Sequence, residues 1–371
     1  MLDKLILLTI VSFSLGSLGQ IFRNAGINLY LFDIFVFGAN LYLFFFLIKK
    51  KKFFINLSFL LFTFFSLLSL VISLFQTFDY FFIEKLHVLS FWIRFNLYFG
   101  FAYFVFNLLK FKFLSKESLY RVLSLNFYLV IVLNFLQYFF IRDISFMADF
   151  GFDPHVSRLT GFFLDPNFLG FYLVLYFYLN EKFLKNKYFS YLSILMVILT
   201  ESRSAFFTLL ILLIFNFFQS VKKTIIFIIF TLLLFLFSNL SYRIEHLNAS
   251  NDSSSSRISS WVDALEVHQV SPYFGIGFNN YRNYLIGYNI VPPEGFFLNS
   301  SNYSDSSILS VLAFSGFLGA IVFLTFYLSY LNKIQVLGFL ITIFFNSLII
   351  NSLFFPATAL LIFLILNLET V

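Results

Sequence analysis

Apolar residues fill this chain in long runs, and short polar clusters separate the runs. An apolar run of about 17–25 residues can cross a bilayer as a helix. The pattern predicts about twelve spans, at residues 5–22, 28–48, 53–75, 88–109, 122–141, 167–180, 188–200, 204–220, 224–238, 306–330, 334–349 and 354–368. The two shortest, 167–180 and 188–200, read as tilted pieces or shared hairpins. Residues 1–22 lack a small-x-small cleavage site and read as a first span, not a removable signal. One segment breaks the rhythm. Residues 239–304 are polar and open with a Ser/Asn run, Asn248–Ser256, of flexible composition. "RISSWVDALEVHQ" follows, in which Ile258, Trp261, Val262 and Leu265 recur at helical spacing. That predicts a short amphipathic helix, capped by Ser255 or Ser256, on the membrane face or over a cavity. Gly275 and Gly277 in "SPYFGIGFNNY" permit a tight backbone path near a ligand or another segment. The expected fold class is an all-α integral membrane protein of about twelve transmembrane helices. Residues 1–371 form a single polytopic domain, and 239–304 a large, partly helical loop between the ninth and tenth spans. No internal repeat is evident.

Composition sharpens this. Of 371 residues, 60% are hydrophobic and 11% charged, and mean hydropathy is +0.90. A soluble domain averages about 25% charged residues, so a soluble globular class is excluded. The 63 Phe residues read as lipid-facing bulk. Without Cys there is no disulfide, thiolate nucleophile or zinc–thiolate site. His87, His155, His246 and His268 show no metal-ligand spacing, so neither metal nor cofactor is expected.

Charge sets an expected orientation. Lysines and arginines in short loops mark the cytoplasmic side. With the N-terminus inside, Lys4, Lys49–Lys52, Lys110, Lys112, Lys116, Arg121, Lys182, Lys185, Lys187, Lys222, Lys223 and Lys333 all fall inside, and both termini are cytoplasmic. The remaining basic residues are Lys85 and eight arginines, which fall outside or near the outer end of a span. Topology needs only positive charge, which Lys supplies. Arg adds a planar fork that grips phosphate in two places and stays charged when half-buried. The outward arginines therefore suggest an anionic ligand at the outer leaflet. Most acidic residues also face out, with Asp33 near the outer end of the second span.

Several polar groups stand where lipid would disfavour them. Arg94 lies about 9 Å below the outer boundary at 1.5 Å per residue, and an ionisable group within a span is a functional candidate unless it snorkels. Glu201 and Arg203 sit at the tip of the hairpin joining the seventh and eighth spans, as a tip ion pair or as a cation aimed into a cavity. Asp165-Pro166-Asn167 opens the sixth span; Asp caps free N–H groups and Pro favours the first helical position. Capping leaves Arg158 and Gly161 unexplained, and a helix N-terminus beside Arg158 also favours an anion. Asp305 precedes the tenth span as a cap or as a general base.

"RLTGFFLDPNFLG" (Arg158–Gly170), "ESRSA" (Glu201–Ala205) and "RISSWVDALEVHQVSPYFGIGFNNY" (Arg257–Tyr281), leading into "DSSILSVLAFSGFLG", resemble the superfamily of O-antigen polymerases and O-antigen ligases. Arg94 fits the same pattern, and the resemblance covers roughly 88–325. It implies a metal-independent membrane glycosyltransferase of the bacterial inner membrane. Its substrate would be an undecaprenyl-diphosphate-linked oligosaccharide, used at the outer face. Protein partners would be a chain-length regulator and a flippase; no nucleic acid is involved. In the ligase branch a catalytic His stands where this chain has Asp305, which favours a polymerase of O-antigen, capsule or exopolysaccharide repeat units. The ligase is the alternative, and a lipid-linked sugar flippase a second one. The chemistry would be attack by a sugar hydroxyl on an anomeric carbon, with the lipid diphosphate leaving. Asp305 would be the base, with Asp165 and Glu201 in reserve. Arg94, Arg158, Arg203 and Arg257 would clamp the diphosphate, with Arg282 a weaker candidate and Asn167 beside them.

Overall fold

A computed structural model describes residues 2–24, 27–75, 82–150, 152–216, 221–236, 253–287, 290, 303–331 and 334–370. The chain is a helical bundle. Its helices are α1 (Leu2–Ser12), α2 (Leu31–Lys49), α3 (Leu57–Phe75), α4 (Phe82–Lys110), α5 (Lys116–Phe140), α6 (Pro166–Leu179), α7 (Lys187–Leu199), α8 (Arg203–Asn216) and α9 (Val221–Leu236). Beyond these come α10 (Ser253–Val270), α11 (Tyr281–Gly287), α12 (Ser307–Leu328), α13 (Ile334–Ile349) and α14 (Pro356–Thr370). Among the described residues, six helical stretches are long and apolar enough to cross a membrane, and five more are apolar but shorter. Capping residues fix many of the starts. Ser115, Asp165, Asn186 and Ser306 each accept a hydrogen bond from a backbone N–H in the first turn of α5, α6, α7 and α12.

The first span departs from the expected single helix over 5–22. After α1 the chain tightens into a 3₁₀ stretch, Phe13–Gly19, with Gly16 at φ +47°. A Cβ at Gly16 would meet the Phe162 carbonyl oxygen at 2.5 Å, so only glycine lets this stretch lie against residues 161–163. Residues 20–24 and 27–30, expected partly as helix, pair as the antiparallel strands β1 (Gln20–Asn24) and β2 (Ile27–Tyr30).

Helices α6 and α14 occupy the centre. Leu169–Leu179 and Ala357–Glu369 are buried on every face, as apolar-all-round helices must be. At one end Lys182 pairs with Glu369 at 2.5 Å, and the Tyr178 hydroxyl donates to Glu369 Oε1 at 2.6 Å, locking the two helices together. At the other end, Asp165 opens α6 beside Pro356, which opens α14. Phenylalanine does not serve lipid contact alone. Phe45, Phe64 and Phe75 face outward, but Phe62, Phe65, Phe99, Phe101 and Phe127 are fully buried, and Phe62 stacks on Phe99 at 3.7 Å. Large planar rings fill volume between helices at low rotamer cost, so the residue that suits lipid also suits the core.

Helix α12 is broken at Gly316 (φ +60°, ψ −168°). The segment after α10 enters the break. Ile276 and Gly277 N–H donate to the Ala313 and Phe314 carbonyls, and Phe317 and Leu318 N–H donate to the Pro272 and Tyr273 carbonyls. Four backbone groups at the break thus find backbone partners, as apolar surroundings require. Gly275 and Gly277 serve approach to another segment. A Cβ on Gly275 would lie 2.4 Å from Phe314 C, and one on Gly277 would lie 2.2 Å from Ser73 Cα.

Helix α10 starts at Ser253, earlier than expected, and so includes Ser253–Ser256, which the composition marked as flexible; residues 248–252 lie outside the described ones. Its apolar stripe faces away from the bundle. Ile258, Val262 and Leu265 are exposed, while Ala264 and Val267 are buried. Arg257 and Ser260 lie on the same inward side as Ala264 and Val267.

Candidate functional site

One cavity of about 520 Å³ opens at the end of the bundle where α6, α8, α12 and α14 begin. That volume suits a bound organic ligand, for which about 300–1,000 Å³ is usual. Its wall includes Arg94, Arg158, Arg203, Arg257, Asp165, Asn167, Glu201 and Asp305. Eight of the nine residues singled out in the sequence therefore share a single hollow. Arg282 does not. It is 3% exposed on α11, away from the cavity wall, and burial pulls its pKa down to about 10.

The arginines are held in different ways. Arg94 lines the cavity while its charge is held by protein groups. Its Nη2 pairs with Asp33 Oδ2 at 2.9 Å, donates to the Asn28 carbonyl, and its guanidinium lies 5.1 Å from the Phe91 ring centroid and 5.4 Å from that of Tyr30. Asp33 also accepts from Tyr30 N–H at 3.0 Å and from the Tyr98 hydroxyl at 2.6 Å. This ion pair is buried, with side chains 14% and 8% exposed. Arg94 is therefore neutralised by a carboxylate on the neighbouring helix, which the sequence placed at the same depth without linking the two.

Arg158 lies on the loop between α5 and α6. Its Nε donates to the Thr200 carbonyl at 3.1 Å and Nη2 to the Glu201 carbonyl at 3.3 Å, at the tip joining α7 and α8. Carbonyl dipoles orient the guanidinium, which also pulls the pKa of Asp165 down. Glu201 takes the left-handed conformation (φ +52°) that turns the hairpin, and Arg203 opens α8 at the cavity. Asn167 Oδ1 accepts from Ser202 Oγ at 2.8 Å, which ties α6 to the same tip. Arg257 comes from the inward face of α10.

Asp165 does cap α6. Its Oδ1 accepts from Asn167 N–H at 2.6 Å and Phe168 N–H at 3.1 Å. Burial raises its pKa, against the opposing pull of those two N–H groups, Arg158 and Arg257. Asp305 sits just before α12; Ser306, not Asp305, caps that helix. The Asp305 N–H donates to Ser260 Oγ at 3.0 Å, so α10 fixes its backbone. Burial raises the Asp305 pKa too, Arg257 lowers it, and Asp165 and Asp153 raise it further. Two carboxylates of raised pKa thus share the cavity wall, and Arg257 pulls the pKa of both down.

Two cavity residues escaped sequence reasoning. Asp153 and His155 lie on the same loop as Arg158, and with Asp165 their donor atoms are all within 4.8 Å of one another. A carboxylate–imidazole set of this spread can hold a divalent cation or share protons. Arg158 Nη1 stands 3.4 Å from His155 Nδ1, and since Arg only donates, that nitrogen accepts. The four histidines are scattered in sequence, so no spacing announced this group. Their only signal was proximity to Arg158.

Gly161 has a structural explanation. It takes φ +55°, a Cβ there would collide with Asn134 Oδ1, and the Thr160 and Gly161 N–H groups donate to Gln137 Oε1 at 3.1 and 3.0 Å. The loop is thereby anchored to α5.

Among known proteins, residues 188–324 match a family model described as O-antigen ligase. The matched stretch runs from α7 through α12 and includes Arg203, Arg257 and Asp305. No curated protein matches the chain.

Proposed function

The match at residues 188–324 supports the O-antigen ligase and polymerase superfamily for this chain, and on that premise we propose that it is a membrane glycosyltransferase that polymerises undecaprenyl-diphosphate-linked repeat units. The observation that carries the reading is the single cavity that gathers Arg158, Arg203 and Arg257 with Asp165 and Asp305. The site opens to the outer face of the inner membrane, the chain crosses about twelve times as one domain, and residues 239–304 form its outer loop. An acceptor sugar hydroxyl attacks the anomeric carbon. The bond from that carbon to the diphosphate oxygen breaks, the diphosphate leaves with the electron pair, and Asp305 takes the hydroxyl proton. Fixed cations aimed at developing charge in a low-dielectric site are among the largest catalytic contributions available. Arg158, Arg203 and Arg257 fill that role. Arg94, already paired with Asp33, shapes the field and the wall instead of binding diphosphate as a full charge, and Asn167 and Glu201 hold the tip in place.

A second reading is transfer of finished glycan to a lipid A core, favoured by the ligase description of the matched family. Glycan gels from a deletion strain separate the two. A polymerase deletion leaves a single repeat unit on the lipid A core, whereas a ligase deletion leaves long chains on the carrier. Complementation with Arg203→Ala is expected to restore no long glycan, with membrane insertion intact. A normal ladder from that variant removes the arginine clamp.

A further inference from the structure

The cavity has a second wall of different chemistry. It is the turn between α13 and α14, "INSLFFPA" (Ile350–Ala357), which lies outside the stretch matched to the family. Ile350, Asn351, Phe354, Phe355, Pro356 and Ala357 all line the cavity, and none is charged. Phe355 stacks on Phe168 at 4.3 Å and 7°, and Phe354 on Tyr303 at 5.4 Å and 11°; all four rings line the cavity. On the same turn Asn351 Oδ1 is buried and has no hydrogen-bond partner among the described residues. Buried polar atoms are nearly always partnered, so such an atom in a ligand-sized cavity points to a donor that arrives with the ligand. Flat rings beside an amide suit a sugar, which has C–H faces for the rings and hydroxyls for the amide.

The turn is also rigid. Ser306 Oγ donates to the Ser347 carbonyl at 3.1 Å, Ser307 Oγ donates to the Ile350 carbonyl at 3.0 Å, and Leu353 N–H donates back to Ser307 Oγ at 3.1 Å. Thr358 Oγ1 donates to the Ser352 carbonyl. The turn is therefore fastened to the two residues that follow Asp305. Preorganised walls of this kind bind with little ordering cost.

We propose that the Ile350–Ala357 turn is a sugar subsite, with Phe354 and Phe355 as its aromatic platform and Asn351 as the group that reads a hydroxyl, and that it holds the acceptor sugar. This rests on the glycosyltransferase reading above. The assignment to the acceptor follows from the fastening: whatever the turn holds is registered against Asp305, which takes the acceptor's proton, while the cations that meet the diphosphate come from other elements.

The test uses the full-length protein in nanodiscs and two probes. One is farnesyl diphosphate, a short polyprenyl diphosphate, followed by calorimetry. The other is the host's own glycan oligosaccharide freed of lipid by mild acid, followed by saturation-transfer NMR. Phe355→Leu and Asn351→Ala are each expected to weaken oligosaccharide binding by about tenfold and to leave farnesyl diphosphate binding unchanged, which also shows that they fold. Phe355→Trp, which keeps a ring, is expected to retain both. Arg203→Ala should show the opposite pattern. Unchanged oligosaccharide binding in Phe355→Leu and Asn351→Ala overturns the subsite and leaves the glycosyltransferase reading standing. Wild-type protein that takes farnesyl diphosphate but no oligosaccharide does the same. Failure of wild-type protein to bind either probe overturns both.

Discussion

Asp305 and Asp165 line one cavity, in which burial raises the pKa of each. A carboxylate acts as a base only when ionised, so transfer falls as pH drops through the raised pKa of Asp305. Arg257 holds that value down, and Asp165 pushes it up. Arg257→Gln should therefore move the acid limb of the rate profile to higher pH, and Asp165→Asn should move it to lower pH. Asp305→Asn should slow transfer by about 10²–10⁴-fold above the pKa of Asp305 and remove the acid limb. Rates in proteoliposomes across the acid range check this, and an acid limb that stays put in both variants disqualifies Asp305. Arg94 teaches a different lesson at the same scale. Its partner Asp33 is 8% exposed, and removing one member of a buried ion pair strands the other. Asp33→Asn is expected to cost on the order of 3–5 kcal/mol, read as lower thermal stability in detergent. The double variant Arg94→Met/Asp33→Leu should recover most of it; if the double is as unstable as the single, the pair is not what holds α2 to α4.

Among elements, the broken helix α12 matters most for the site. Its first half begins at Ser307 beside Asp305, and the break at Gly316 lets the segment following α10 fasten on through four backbone hydrogen bonds. Helix α10 is thereby held against α12, with His268 Nδ1 3.1 Å from the Leu312 carbonyl oxygen, and Arg257 and Ser260 are carried to the cavity. Glycine is required here because the φ values are positive and the backbones nearly touch. A positive φ alone costs a non-glycine residue of order 1–3 kcal/mol, and a Cβ at Gly277 adds a 2.2 Å collision with Ser73 Cα. Gly277→Ala should therefore abolish long glycan and expose α10 to limited proteolysis. By contrast Gly287→Ala, where a Cβ meets nothing within 4 Å, should leave both unchanged. Equal protease resistance in the two variants would show that the docking is not what holds α10.

For the whole molecule, the uneven placement of lysine and arginine makes a topological prediction. Both termini and the lysine-rich loops, such as Lys49–Lys52, should be cytoplasmic. A phosphatase reporter fused after residue 371 is expected to be inactive, and one inserted after residue 252 active. The reverse pattern would put the cavity on the cytoplasmic side and exclude a donor presented at the outer leaflet.

Hydropathy and basic-residue bias by themselves determined that the chain is a helical membrane protein, roughly where its helices lie, and which polar residues were out of place. Those are local properties: an apolar run or an Asp-Pro helix start has the same meaning wherever the rest of the chain goes. They also sufficed to pick out Arg94, Arg158, Arg203, Asp165 and Asp305, because a charge within or at the end of an apolar run is conspicuous; Arg257, in the polar loop, was marked by the resemblance. Only the tertiary structure decided which partner each charge meets. Asp33 neutralises Arg94, and His155 and Asp153 join Asp165, through contacts between elements far apart in sequence. It also decided which face of α10 turns inward, and it took Arg282 away from the cavity wall. Pairing and facing depend on packing between helices, and in a chain this uniformly apolar the pattern along the sequence carries little record of it.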